Sequence, residues 1–145
     1  MESPTMGKVL VAAKIENLFD LYEASQGQRK PEDVRSVEVS DALVDTGATY
    51  LSLPQRLIDQ LGLQRYRTQR TRTSGDDLRE FTIYGMVRLT VQGREHCMEI
   101  AALPDTCPVL IGQIPLAVLD WVVDPKGQKL IGNPEHGGEE MFDMF

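Results

Sequence analysis

The chain has 145 residues, of which 41% are hydrophobic and 26% charged, and its formal net charge is −7. This length predicts one domain with a single core, and the excess of acids argues against a surface built for nucleic acid. Only 6% of the residues are aromatic. Val, Leu, Ile and Thr must therefore supply much of the packing, which favours β structure.

Two features of the sequence bear on the cellular compartment. The N-terminus has no basic segment followed by a long apolar run, and no window approaches the roughly 18 continuous apolar residues that a membrane span needs. Cys97 and Cys107 have neither a CxxC pair nor a histidine at metal-ligand spacing. We therefore expect a cytoplasmic protein with reduced thiols, and with no membrane partner, metal or cofactor.

The first part of the chain predicts a β-hairpin. Residues 8–15 are short, apolar and partly β-branched, and residues 34–44 return in extended form. Residues 16–31 between them read as a loop, although residues 17–24 could hold a helical turn. The second arm of this hairpin leads directly to an aspartate.

Leu43 and Val44 run into Asp45, which the chain leaves through Thr46 and Gly47. An acid at the end of a buried strand costs several kcal/mol if it stays charged and unpaired. Gly47 allows the backbone to fold back and aim N–H groups at the carboxylate, and Thr46 adds a hydroxyl. The alternative is an ordinary turn after a strand, because Asp and Gly are common turn residues.

The next segments predict a helix and a polar hairpin. Pro54 is suited to open a helix over residues 55–61, and Gly62 to end it. Residues 65–73 contain no aliphatic side chain, and a turn at 74–77 leads to β-like residues 78–84. This hairpin is either a mobile lid over a cleft or a solvated surface hairpin. Its arginines could form a nucleic-acid patch, but the acidity of the chain favours a solvated face.

The last third of the chain predicts further strands and one more helix. Residues 87–103 read as a hairpin of core strands that turns at Gln92 and Gly93. Residues 108–112 are a buried apolar strand ending in glycine, residues 113–121 fit a helix, and residues 122–131 read as strand, turn, strand. We expect the acidic, glycine-rich residues 133–145 to be a flexible tail that follows a domain of residues 1–132.

The order of these elements closely resembles the retropepsin-like (retroviral-type) aspartic proteases, in particular their small bacterial single-domain members. The likeness rests on the segments Leu43–Ala48 and Val109–Gly112, with a hairpin and two core strands between them and a helix after the second. It covers most of residues 8–132. It implies a mainly β fold: a single-lobe closed β-barrel with a flap hairpin and one or two short helices, active as a two-fold dimer.

The same resemblance assigns roles to individual residues. It makes Asp45 the catalytic aspartate, with Thr46, Gly47, Ala48 and Gly112 in support. Thr46 would grip the second subunit, Gly47 would bond the carboxylate, and Gly112 would pack beneath the turn. By position, the flap tip would include Ser74, Gly75 and Asp76. Gln113 departs from the pattern, because viral members usually carry an arginine there.

The expected reaction is peptide-bond hydrolysis, which needs two carboxylates close together that share one proton. The sequence contains one Asp-Thr-Gly, so the second carboxylate would come from another copy of the chain. Ala48 has no hydroxyl to stabilise a charged carboxylate, so we expect activity nearer neutral pH than that of digestive aspartic proteases. The alternatives are a non-catalytic retropepsin-like module that dimerises or binds peptides, and an ordinary β domain with a coincidental turn.

Overall fold

A computed structural model describes residues 8–72 and 75–141 of the chain. The described part is mainly β, with three short helices: α1 (Leu18–Ser25), α2 (Gln55–Leu61) and α3 (Gln113–Leu119). The strands are β1 (Val9–Asn17), β2 (Ser36–Val44), β3 (Leu51–Pro54), β4 (Gln64–Arg72), β5 (Leu78–Val91), β6 (Arg94–Leu103), β7 (Leu110–Ile111), β8 (Trp121–Asp124) and β9 (Lys129–Gly132). None of the helices in the described residues has the length and apolar character needed to cross a bilayer.

Six strands close into a barrel in the order β1-β2-β7-β3-β6-β5, and β1 pairs with β5 to complete the ring. β4 pairs with β5 outside this ring, and β8 and β9 form a separate antiparallel pair. The mainly β fold and the closed barrel are confirmed. The resemblance implies one or two short helices, and this number was too low. The additional helix is α1, and Asn17 stabilises its N-terminus by accepting a hydrogen bond from the Asp20 backbone N–H at 3.1 Å.

The barrel interior holds the apolar side chains that alternate along the strands. β1 places every second residue inside from Val9 to Ile15, and β5 does the same from Ile83 to Val91. Leu53, Ile58 and other aliphatic side chains fill the space between the strands and α2. The small aromatic content is therefore offset by Val, Leu and Ile, as the composition indicates.

The predicted hairpins are present, with one difference in strand length. β1 pairs antiparallel with β2, and β5 with β6 around the turn at Gln92 and Gly93. The segments 78–84 and 87–91, which the sequence suggests are separate strands, are one strand, β5. The register of β5 against β6 shifts between Tyr84 and Val87, so a bulge joins the two segments without ending the strand.

The two predicted helices after the Asp45 turn also form. α2 follows Pro54 and ends at Gly62, whose φ of +65° is the left-handed conformation that glycine adopts without strain. α3 begins at Gln113 as expected but ends two residues before the predicted bound. Asp120 takes the left-handed conformation at its C-terminus, with φ of +59°, and Trp121 then starts β8.

A buried ion pair fixes α1 to the chain that enters β2. Asp20 is 1% exposed, and its carboxylate accepts hydrogen bonds from Nε and Nη2 of Arg35 at 2.8 and 2.9 Å, while Arg29 Nη2 lies at 3.2 Å. Hydrogen bonds from the Arg35 side chain hold the pKa of Asp20 below its ordinary value, against the effect of burial. Arg35 also lies against Gly62, where an added Cβ would meet its Nη1 at 1.9 Å.

A second carboxylate, that of Asp120, joins residues 133–141 to the domain. It accepts hydrogen bonds from His136 Nδ1 at 2.6 Å, Asn133 Nδ2 at 3.1 Å and the Met141 backbone N–H at 3.2 Å. Burial acts to raise the pKa of Asp120, but these hydrogen bonds outweigh it and hold that pKa below its ordinary value. The packed structure therefore continues to Met141, within the segment that the sequence suggests is a flexible tail.

Arg94 adds a further contact to the same region. Its guanidinium lies over the Trp121 ring, 3.9 Å from the centroid, and donates to the Gly138 carbonyl at 2.7 Å and the Asp120 carbonyl at 2.7 Å. Arginine at the C-terminal end of a helix also interacts favourably with the helix dipole. The tip of the β5–β6 hairpin thus holds both the end of α3 and the segment that follows β9.

Candidate active site

Asp45 lies where three strands meet. β2 ends at Val44 and runs parallel to β7, whose other neighbour is β3, so the turn between β2 and β3 passes over the end of β7. The Asp45 backbone N–H donates to the Ile111 carbonyl at 3.0 Å. The main chain of the aspartate is therefore fixed by a ladder of strands that are distant in sequence.

The turn holds the Asp45 carboxylate as its residue types suggest. Oδ1 accepts a hydrogen bond from the Gly47 N–H at 3.0 Å, and the Ala48 N–H donates to the Asp45 carbonyl at 3.0 Å. Asp45 and Ala48 are half-buried, whereas Thr46 and Gly47 are exposed. The carboxylate is thus oriented by the backbone and remains open to the surface.

Gly112 packs directly against the backbone of this turn. A Cβ at this position would lie 2.6 Å from the Ala48 carbonyl oxygen and 2.7 Å from that of Tyr50. The Gly112 N–H donates to the Tyr50 carbonyl at 3.1 Å, and the N–H of Gln113 to the Ala48 carbonyl at 2.9 Å. Contacts this close leave no room for a side chain, so glycine is required here.

The side chain of Gln113 joins α3 to the turn. Its Nε2 donates to the Thr46 carbonyl at 2.8 Å. In the retropepsin-like proteases that the sequence resembles, viral members usually carry an arginine at this position. In this chain the connection from α3 therefore goes to the backbone of the aspartate turn itself.

We expect Gly112→Ala to destabilise the protein by about 2 kcal/mol, because the new methyl group must displace main-chain atoms and not a movable side chain. Gly127→Ala is the matched control, since the three atoms nearest to its Cβ would be side-chain atoms of Asp124 and Lys129. Its effect should stay within about 0.5 kcal/mol. Urea unfolding followed by circular dichroism measures both, and equal losses would show that the close contact at Gly112 is unimportant.

A cleft of about 350 Å³ lies beside the turn, between it and the outer arm of the β4–β5 hairpin. Its walls come from the turn, from β4 and from apolar side chains of the barrel. The lining residues are Gly47, Ala48, Thr49, Tyr50, Ser52, Gln69, Arg70, Thr71, Arg72, Phe81, Ala101, Leu103 and Leu110. The structure therefore brings two of the predicted supporting residues, Gly47 and Ala48, to a cavity large enough for peptide side chains.

The predicted flap-tip residues have different outcomes. Ser74 lies outside the described residues. Gly75 and Asp76 are exposed in the turn before β5, and the Asp76 carboxylate lies 2.6 Å from Nη1 of Arg72. The hairpin residues that line the cleft are instead Gln69 to Arg72 and Phe81. Sequence reasoning missed them, although the arginine-rich pattern of this strand was visible.

The arginines of β4 do not share one environment. Arg67 is paired with Glu99 on β6, 32 residues away, and also bonds Gln69. Hydrogen bonds to Glu99 and to Tyr50 raise the pKa of Arg67 above its ordinary value. Arg67 therefore supports the wall of the cleft at Tyr50, while Arg70 on the same strand is exposed.

No model of a known protein family matches the chain, and no curated protein sequence matches it.

Proposed function

We propose that this chain is an aspartic endopeptidase that acts as a two-fold symmetric homodimer. The observation that carries this proposal is the Asp45 carboxylate, which accepts a backbone hydrogen bond from Gly47. Asp45 does not itself line the cleft, but Gly47 and Ala48 of the same turn do. The residue types at the turn and the resemblance to retropepsin-like proteases support the same function. The position of Gly112 beneath the turn is consistent with it.

Two further acids in the described part of the chain, Asp120 and Asp124, are engaged in hydrogen bonds of their own, which supports a second chain as the source of the partner carboxylate. Asp120 is occupied by His136, Asn133 and the Met141 N–H. Asp124 accepts a hydrogen bond from the Lys126 N–H in the turn between β8 and β9. A two-fold axis beside the turn would instead bring two copies of Asp45 together, which is an isologous arrangement.

The reaction follows from two carboxylates that share one proton, since like charges about 3 Å apart cannot both ionise. The ionised Asp45 takes a proton from a water molecule, whose oxygen attacks the carbonyl carbon of the peptide. The protonated Asp45 of the other copy gives its proton to the carbonyl oxygen. As the tetrahedral intermediate collapses, the Asp45 that took the water proton gives it to the amide nitrogen and the C–N bond breaks. The other Asp45 takes a proton from a hydroxyl of the intermediate as the carboxylic acid product forms, so the pair again shares one proton.

The cleft suits an extended peptide. Phe81, Leu103 and Leu110 form apolar parts of its lining, which favours an apolar side chain near the scissile bond.

The two cysteines of the chain are free thiols. Unbridged cysteines suit a reducing compartment, so we propose that the enzyme works in the cytoplasm.

Incubation of the purified full chain with a peptide library at several pH values tests the function, with Asp45→Asn beside it. The asparagine amide of this variant can keep the hydrogen bond from Gly47 but cannot exchange a proton, so we expect cleavage to fall by about a thousandfold or more. Sedimentation should find both proteins as dimers. Cleavage that persists in Asp45→Asn, or in a strictly monomeric protein, would overturn the proposal. Peptide binding without cleavage by either protein would assign the non-catalytic alternative.

A further inference from the structure

We propose that the cleft beside Asp45 selects peptides with acidic side chains, and that Arg70 and Arg72 determine this specificity. The inference rests on the proposed function, since it names the substrate class of the same site. Both arginines line the cleft on the β4 side, and both are exposed. The other described lining residues carry no formal charge at neutral pH.

The charge of this wall is opposite to that of the molecule. The chain as a whole has a net charge of −7, yet the hairpin formed by residues 64–84 contains five arginines and only three carboxylates. An acidic peptide approaching the molecule is therefore repelled by most of its surface and attracted at the cleft. Such local charge of one sign in a cleft raises the local concentration of oppositely charged ligands.

The two arginines differ in how free their charges are. Among the residues that the structure describes, Arg70 forms no ion pair. Arg72 lies 2.6 Å from Asp76, but the two side chains are 61% and 79% exposed. An exposed ion pair of this kind contributes little, so a substrate carboxylate can replace Asp76 as the partner of Arg72. Arg67, in contrast, stays committed to Glu99 and to the wall of the cleft.

The apolar lining sets where the acid must lie in the peptide. Phe81, Leu103 and Leu110 can accept an apolar side chain, while Arg70 and Arg72 line the cleft from β4. Successive side chains of an extended peptide point to opposite sides. We therefore expect an acidic residue adjacent to an apolar one, and in a two-fold dimer the same preference on both sides of the scissile bond.

Binding and cleavage of matched peptides test this inference. The probes are fluorescent extended peptides with glutamate on both sides of an apolar centre, and the same peptides with glutamine. Anisotropy with the full-chain Asp45→Asn protein measures affinity without cleavage. We expect the glutamate peptide to bind about tenfold or more tightly than the glutamine peptide at low salt, and this ratio to shrink as salt is added.

Arginine variants connect the preference to this wall. In the Asp45→Asn background, Arg70→Gln and Arg72→Gln should each reduce the glutamate preference by about three- to fivefold, and the double variant should nearly abolish it. Arg65→Gln is the matched control, because Arg65 is exposed on the same strand but does not line this cleft. It should leave the preference unchanged, and so exclude a general effect of net charge.

The outcomes separate this inference from the proposed function. Equal affinity for the glutamate and glutamine peptides, or equal loss in the Arg65 and Arg70 variants, would overturn the inference even if the wild-type chain cleaves other peptides. Selective binding that depends on Arg70, without cleavage by wild-type protein, would support the inference and overturn the peptidase proposal. In the wild-type chain, kcat/KM should show the same preference as the affinities.

Discussion

Asp45→Asn subunits should silence wild-type subunits when the two are mixed. Each site of the proposed dimer needs one carboxylate from each chain, so a mixed dimer has no proton-sharing pair. With equal amounts of the two proteins and free exchange, about one quarter of the dimers are wild-type on both sides. The activity per wild-type chain should therefore fall to about half of its unmixed value, and further as the variant is added in excess.

This expectation discriminates between a shared site and independent sites. If each chain carried a complete site, added Asp45→Asn protein would leave the activity per wild-type chain unchanged. Asp41→Asn is the matched control, since it makes the same change of charge at an exposed position on β2. Mixing wild-type protein with the Asp41 variant should leave activity unchanged. A dilution series identifies the concentration at which subunits exchange and so validates the mixing.

Arg35→Met should cause a large loss of folding stability, although solvent reaches the Arg35 side chain. It removes two hydrogen bonds from the buried Asp20 carboxylate. The partners that remain among the described residues are the Arg35 backbone N–H at 3.0 Å and the Arg29 side chain at 3.2 Å. A buried charge that loses its partner costs several kcal/mol. Solvent reaches 45% of the Arg35 side chain, so we expect about 3 kcal/mol.

The pH dependence of this loss identifies its electrostatic part. The pKa of Asp20 is below its ordinary value in the folded protein, chiefly because of hydrogen bonds from Arg35. The pair therefore stabilises the fold above the ordinary aspartate pKa of about 3.9, and this contribution is lost as pH falls through the lowered value. The difference between wild type and Arg35→Met should be full at neutral pH and shrink in acid.

Urea unfolding at neutral pH and near pH 3 measures both effects. Arg29→Met is the control, because Arg29 shares its guanidinium between Asp20 and the half-exposed Glu23 and should cost about 1 kcal/mol. A cycle that adds Asp20→Asn tests the coupling, since the neutral amide should tolerate the loss of the Arg35 guanidinium better than the carboxylate does. A loss that is the same in both backgrounds and at both pH values would mean that packing over Gly62, and not charge, holds Arg35.

The features that could be predicted from the sequence are those with local signals. The Asp45 turn, the end of α2 at Gly62 and the turn at Gln92 and Gly93 all depend on residues within a few positions of one another. Glycine and aspartate limit the backbone there regardless of the remainder of the chain. The hairpins follow, because adjacent strands joined by a short turn usually pair.

The features that could not be predicted depend on pairings across the sequence. β7 lies between β2 and β3, parallel to one and antiparallel to the other, and no periodicity in Leu110 and Ile111 indicates these neighbours. Glu99 reaches Arg67 only because β6 and β4 flank β5. Likewise, the acidic, glycine-rich composition around His136 suggests a free tail. In the structure, however, the buried Asp120 carboxylate accepts a hydrogen bond from His136.

The position of β4 has a consequence for handling the protein. Among the described strands, β4 is the open edge of the seven-stranded sheet, with β5 as its hydrogen-bonded neighbour on one side. Exposed edges invite strand addition by other chains, and charged side chains are a common safeguard against such self-association. Arg65, Arg67, Arg70 and Arg72 all lie on this strand. The same guanidinium groups should therefore keep concentrated samples from aggregating through their edges.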